Sequence, residues 1–340
     1  MKKKFSIVLI LLLTVALIAA GCGGNDQPQP SGENNANEEK QEDVVQATRL
    51  LMATGGTGGT YYPLGGSMAN VWNNHIEGLN VTIEATGASV ENIRLLASGE
   101  TDLAMAMNGP AMNAYLGTGD FEGNPVEFSA VGVIYPEVMQ IIAPQSTGIQ
   151  DVADLKGKRV SIGPAGSGTA SAAINILAAY GMDPDNDIVK FQDNFADAAR
   201  KIKDGQLDAA FAVLAVPAGN VIDITTSTPV NIVNIQGEGL DKLLELDPTF
   251  TAYEIPAGTY DGQDVIGYTV SQWAVLYVPN DMDETLVYNL TKNMYEKVTE
   301  IARGHDMGNQ ITIDNAMKGI DPVPFHPGAE KYYKEQGLIN

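Results

Sequence analysis

Two segments of the sequence share one construction, and each is built to meet an anion. Thr54-Gly-Gly-Thr-Gly-Gly-Thr60 and Gly163-Pro-Ala-Gly-Ser-Gly-Thr169 each lie between a strand-like run and a helix-like run. Glycine lets backbone N–H groups approach a ligand without side-chain obstruction, and a helix start carries about half a unit of positive charge. Thr57, Thr60, Ser167 and Thr169 add hydroxyl donors at the same rims, beside Gly58, Gly166 and Gly168. Neither segment is a phosphate loop, because no Lys-Ser or Lys-Thr follows its glycines, and the spacing of Gly163, Gly166 and Gly168 is not that of a dinucleotide fingerprint. The reading is two anion cradles with no nucleotide chemistry and no cofactor.

Other groups fit one cleft with these loops. Of Tyr61 and Tyr62 at the start of the first helix, one ring is expected to pack in the core; Tyr62 is taken as the one that walls the pocket. Ser89 reads as an N-cap. Asn92, a turn later, either faces the cleft or caps locally. Asn108 ends a strand aimed at the cleft, and Tyr135 follows another strand as a contact or a hinge-packing ring. Arg94, Arg159 and Arg200 are the cations nearest the loops, yet none lies in one, so helix starts and hydroxyls carry the anion. His75, His305 and His326 lack a metal-ligand spacing, and no nucleophile elbow or core cysteine supports covalent catalysis. No metal site is expected.

The elements that must hold these residues alternate along the chain. Strand-like runs at 48–54, 81–85, 103–107, 130–134, 140–143, 159–162, 209–213 and 273–278 are interleaved with helical runs at 63–75, 89–98, 169–180, 195–204 and 284–302. Such alternation predicts an α/β architecture of mostly parallel sheets flanked by helices, with ligands outside the carboxyl ends of the strands.

The N-terminus sets the compartment. Lys2, Lys3 and Lys4 precede an apolar run from Ile7 towards Ala20 that falls short of the roughly 20 residues a spanning helix needs, so residues 1–21 read as an export signal. Cys22, the only cysteine, follows Ala19-Ala20-Gly21, a placement that resembles a bacterial lipobox; diacylated, it would anchor the chain to the bilayer on its outer face. Residues 22–46 are polar and Gly/Asn/Glu-rich and read as a flexible tether. With 42 acidic and 20 basic residues, a net charge of -22, the chain has no basic patch for nucleic acid.

The run Gly56-Thr-Gly-Gly-Thr-Tyr-Tyr-Pro-Leu-Gly-Gly66 resembles the opening signature of the TAXI family of solute receptors, which serve TRAP transporters. Further blocks follow in order: Ser89 to Glu100, Leu155 to Gly163 with its Gly-Ser-Gly-Thr, Ile255-Pro-Ala-Gly-Thr-Tyr260, and His326-Pro-Gly-Ala. The resemblance implies a two-lobed periplasmic-binding-protein fold of type II that closes like a clamshell, with 47–136 and 266–340 as lobe 1 and 137–265 as lobe 2. It implies a monomer that captures a small organic anion, glutamate or a related dicarboxylate, and delivers it to TRAP membrane subunits without catalysis. One turn departs from the family pattern: Leu214-Ala-Val-Pro217 lacks the usual glycine. An ATP-driven importer or a signalling protein is an alternative partner, and an exported α/β enzyme is a rival of another class.

Overall fold

The computed structural model describes residues 48–340. The expected signal, tether and acylated Cys22 lie outside those residues. Its first strand β1 (Thr48–Ala53) leads through the first glycine loop into α1 (Tyr61–His75), and β2 (Leu79–Glu84) leads into α2 (Ser89–Ser98). Then come β3 (Leu103–Met107), α3 (Asn108–Leu116) and the long β4 (Ser129–Pro144). The middle of the chain repeats the scheme: β5 (Arg159–Ser161), α4 (Gly168–Ala179), β6 (Val189–Phe191), α5 (Phe195–Lys203), β7 (Ala209–Leu214), α6 (Gly219–Thr225), β8 (Val230–Ile232), α7 (Gly237–Leu246) and β9 (Thr251–Ile255). It returns along β10 (Gly267–Val278) and ends in α8 (Glu284–Glu296), α9 (Val298–Gly304) and α10 (Pro327–Glu335).

The strands form a path β2-β1-β3-β10-β4-β7-β5-β6, with β8 on β4 and β9 on β10. Two parallel trios, β2-β1-β3 and β6-β5-β7, stand at the ends, and β10 and β4 run antiparallel between them. Both long strands serve both halves. β4 pairs with β10 over Ser129–Val138 and takes up β7 from Val138 onward, while β10 pairs with β9 over Gly267–Ser271 and with β3 over Ala274–Tyr277. The expected lobe divisions at 136/137 and 265/266 fall inside β4 and just ahead of β10.

Each half buries apolar side chains on both faces of its sheet. In the first, Met52, Leu64, Trp72 and Leu103 pack on one face and Ile93, Ala104, Phe128 and Tyr277 on the other. In the second, Ile141, Val160 and Ile176 oppose Ile142, Ile202 and Val221. Each large aliphatic side chain so buried contributes about 1.5–3 kcal/mol. Trp72, wholly buried, also donates its Nε1–H to the Leu290 carbonyl at 3.0 Å.

Seven elements, α3, β6, α6, β8, α7, β9 and α10, were not read from the sequence, and three of the readings made there change in extent. The strands expected at 130–134 and 140–143 are one strand, because β10 pairs with it as far as Val138 and β7 pairs with it from Val138 on. The strand expected at 273–278 extends back to Gly267, where pairing with β9 requires it. The helix expected over 284–302 breaks at Lys297 (φ -108, ψ 22) into α8 and α9.

Candidate functional site

Four strand-to-helix connections sit at the carboxyl ends of β1, β2, β5 and β6, and all four meet at one cavity enclosing about 740 Å³, its open mouth included. The wall is made by Gly55, Gly56 and Gly58–Tyr61 at the start of α1, by Thr86–Ser89 at the start of α2, by Gly163, Pro164 and Ser167–Thr169 at the start of α4, and by Asp193–Phe195 at the start of α5. Met107 of β3, Tyr135 and Glu137 of β4 and Phe211–Leu214 of β7 complete it. The first turn of a helix leaves N–H groups without intrahelical acceptors, so four positive helix ends line one space, two from each half. Among the described lining residues there is no Lys, Arg or His.

Side chains cap two of these helix starts, those of α4 and α5. Ser167 caps α4: its Oγ accepts from Ala170 N at 3.0 Å and donates to the Pro164 carbonyl at 2.7 Å. Asn194 caps α5 by accepting from Asp197 N at 3.0 Å. α2 starts differently. Its N-cap residue is Ala88 at φ 75, and Ser89 is the first helical residue, whose Oγ accepts from Met107 N at 3.1 Å. The expected N-cap role of Ser89 is therefore replaced by a tie to the neighbouring strand end, although the residue still lines the cavity.

The two glycine loops also touch across the cleft. Thr60 Oγ1 accepts from Ala215 N at 3.1 Å, and Asn220 Nδ2 donates to the Gly58 carbonyl. Glu91 N donates to the Gly166 carbonyl at 3.1 Å. A Cβ on Gly168 would lie 2.7 Å from Ser89 Oγ and 2.5 Å from Met107 Sδ, so a side chain there would have to displace both across the cleft. The turn Leu214-Ala-Val-Pro217, which departs from the TAXI pattern, supplies both the Leu214 wall and the Ala215 amide.

One carboxyl group was not read from the sequence. Glu137, 4 % exposed, accepts from the Tyr61 hydroxyl at 2.6 Å and the Tyr135 hydroxyl at 3.0 Å. Burial pushes its pKa up, against the pull of the two tyrosine hydrogen bonds, to about 7. Burial likewise holds both tyrosine hydroxyls well above their ordinary range, so they stay neutral donors. On the opposite wall Asp193 Oδ1 pairs with Lys201 Nζ at 2.6 Å, while its buried Oδ2 has no hydrogen-bond partner among the described residues.

Of the residues singled out in the sequence, Gly58, Thr60, Ser89, Tyr135, Ser167, Gly168 and Thr169 are brought together on this wall. Thr57 is exposed and borders a separate groove with His305 and Asn220. Gly166 lies outside the wall, its carbonyl taken by Glu91 N. The ring on the wall is Tyr61, not Tyr62: Tyr61 is 5 % exposed and points to Glu137, whereas Tyr62 is half-buried and lines no part of it. Asn92 and Asn108 are also absent from the wall, since both amides hold backbone. Asn92 Nδ2 donates to the Thr54 and Met105 carbonyls at 2.5 and 2.7 Å; Asn108 donates to Gly319 O at 2.9 Å and accepts from Trp273 N at 3.0 Å. Arg94, Arg159 and Arg200 engage Asp120 O, Asp208 and Asp197, away from the cavity.

One of the missed groups left a trace in the sequence. Asn194-Phe-Ala-Asp197 has the spacing of a helix N-terminal signature before an apolar-periodic run. Glu137 had none, since it falls between the runs read as strands at 130–134 and 140–143.

Among solved structures, a protein from Bordetella bronchiseptica RB50 superposes with a TM-score of 0.53 at 14% identity, over 86% of this chain and 99% of that one. A putative L-cystine ABC transporter from Listeria monocytogenes gives 0.49 at 13% identity, covering 79% and 98%. The alkanesulfonate-binding protein SsuA from Xanthomonas axonopodis pv. citri, solved with MOPS, gives 0.45 at 16% identity, covering 86% and 94%. At 14% identity the superposition at 0.53 is a likeness of fold alone: an α/β periplasmic-binding-protein architecture, a sheet with flanking helices, as expected. The family profile that matches is described as NMT1-like and spans residues 52–337; the TAXI assignment drawn from the motif blocks is not what it returns. With nearly all of the described chain inside that match, the chain belongs to the NMT1-like family.

Proposed function

We propose that this protein is an extracytoplasmic solute receptor, which holds a small organic acid between its two halves and passes it to a membrane importer. The observation that carries the reading is the convergence of four helix starts, two per half, on one cavity whose described lining has no cationic side chain. A carboxylate there takes charge-assisted hydrogen bonds from backbone amides of both halves, and only when the halves are together. Guest binding therefore stabilises the closed shape, and the closed shape is what a membrane partner can read. No bond is made or broken.

Thr169 lies on the cavity wall, where its hydroxyl adds a donor for the guest. Asp193 Oδ2 adds a free acceptor, which suits an acid bearing a donor of its own, such as glutamate or a related acidic amino acid. An ATP-driven importer is the partner we put first, since the family match does not carry the TAXI assignment that would bring a TRAP partner. A TRAP pair is the second reading, favoured by the ordered sequence blocks from Gly56 to His326. The N-terminal signal and Cys22 support export and lipid anchoring, which metabolic labelling with a radioactive fatty acid and its loss in Cys22→Ala would test.

Calorimetric titration with L-glutamate, 2-oxoglutarate and neutral sugars tests the binding reading. One acid per chain should bind, with micromolar or tighter affinity, about -8 kcal/mol. Turnover of the bound acid, or binding of sugars alone, would contradict it.

A further inference from the structure

Glu137 is unexplained by anion binding alone. A carboxyl group in the wall of an anion cavity opposes the guest if it is charged. Buried carboxylates are usually held by a cation, and Glu137 has only the neutral hydroxyls of Tyr61, from α1, and Tyr135, from its own strand β4. The other charged group of the wall is Asp193, ahead of α5, and its charge is held by Lys201. The helix starts of α2 and α4 and the β7 segment bring no titratable side chain to the lining.

A guest carboxylate adds a second negative charge to this low-dielectric space, which disfavours the ionised form of the group least able to keep it. Asp193 has its ion pair. Glu137 does not, and burial already holds it at the edge of ionisation near neutral pH.

We propose that acid binding is coupled to proton uptake by Glu137, so that the receptor closes on its guest and a proton together. This rests on the reading of the cavity as an organic-acid site and extends it to regulation by pH. The direction follows from linkage. The guest raises the pKa of Glu137 above its free value of about 7, so between those two values the complex holds one more proton than the separated partners. Affinity is level below about pH 7 and falls by up to about tenfold per pH unit above it.

The test is calorimetric titration of the whole mature protein with L-glutamate and with 2-oxoglutarate, whose carboxyls stay ionised throughout, from pH 6 to pH 8.5. At pH 7.5 the titration is repeated in two buffers of different ionisation heat, which counts protons directly. Expected are a falling affinity above pH 7, uptake of up to about one proton per guest, and loss of both in Glu137→Gln. The wild-type profile and the proton count need no variant, so a poorly folded Glu137→Gln leaves the test intact. A flat affinity without proton exchange overturns the proposal. So does proton release with affinity rising with pH, which places an ammonium group of the guest on Glu137. If neither acid binds at any pH, the organic-acid reading itself fails and takes this inference with it.

Discussion

The two glycine loops are alike in sequence and different in use. The second, Gly163–Thr169, is a cradle: Ser167 caps α4 through Ala170 N, and Gly168 and Thr169 line the cavity. The first, Thr54–Thr60, is also a dock. Thr60 makes no side-chain cap on α1; its Oγ1 instead accepts from Ala215 N of the opposite half, and the Gly58 carbonyl is held by Asn220. A glycine loop before a helix thus shows where backbone comes close, without telling whether to a ligand or to the other half of the protein.

Substitutions separate the two uses. The largest effect is expected from Gly168→Ala, whose Cβ would collide with Ser89 Oγ and Met107 Sδ across the cleft. Overpacking of this kind costs about 1–3 kcal/mol, and since it arises only in the closed form, acid affinity should drop about ten- to a hundredfold with little change in ligand-free melting temperature. An equal loss of melting temperature would place the clash inside one half.

Next comes Thr60→Val, which leaves the buried Ala215 N–H without its acceptor whenever the halves meet. The cost of an unpaired buried donor is about 1–3 kcal/mol, so affinity should fall about tenfold. Small-angle scattering should also show a larger radius of gyration without guest. Unchanged scattering would remove the docking role from the first loop.

Thr169→Val should do less and do it differently. One guest hydrogen bond is lost, about 0.5–1.5 kcal/mol, a few-fold in affinity, with ligand-free scattering unchanged. The smallest effect is a control on all three variants: neither loop holds a titratable side chain, so each should shift affinity by the same factor at pH 6 and pH 8.5. A variant that flattened the pH profile would connect its loop to Glu137.

The alternation of strands and helices was legible because each periodic run is local, and both loops were found for the same reason. What the sequence hid is non-local. Asn92 and Asn108 have the residue type of ligand contacts, but whether an amide faces a guest or ties down a carbonyl, as with Thr54 and Gly319, depends on residues 38 and 211 positions away. Tyr61 and Tyr62 are equivalent on paper, and the choice fell to Glu137, 76 positions from Tyr61. Glu137 itself fell in the gap between two runs read as separate strands, whereas β4 continues through it from one half to the other.

The central claim is that helix starts of both halves converge on one organic acid. A crystal structure of the protein with bound L-glutamate tests it most directly. The account predicts a guest carboxylate within about 2.7–2.9 Å of backbone N–H groups at the start of α4 and of α1 or α2 together. A guest held by one half alone, or lodged in the groove between Gln145 and Gly267, would contradict it.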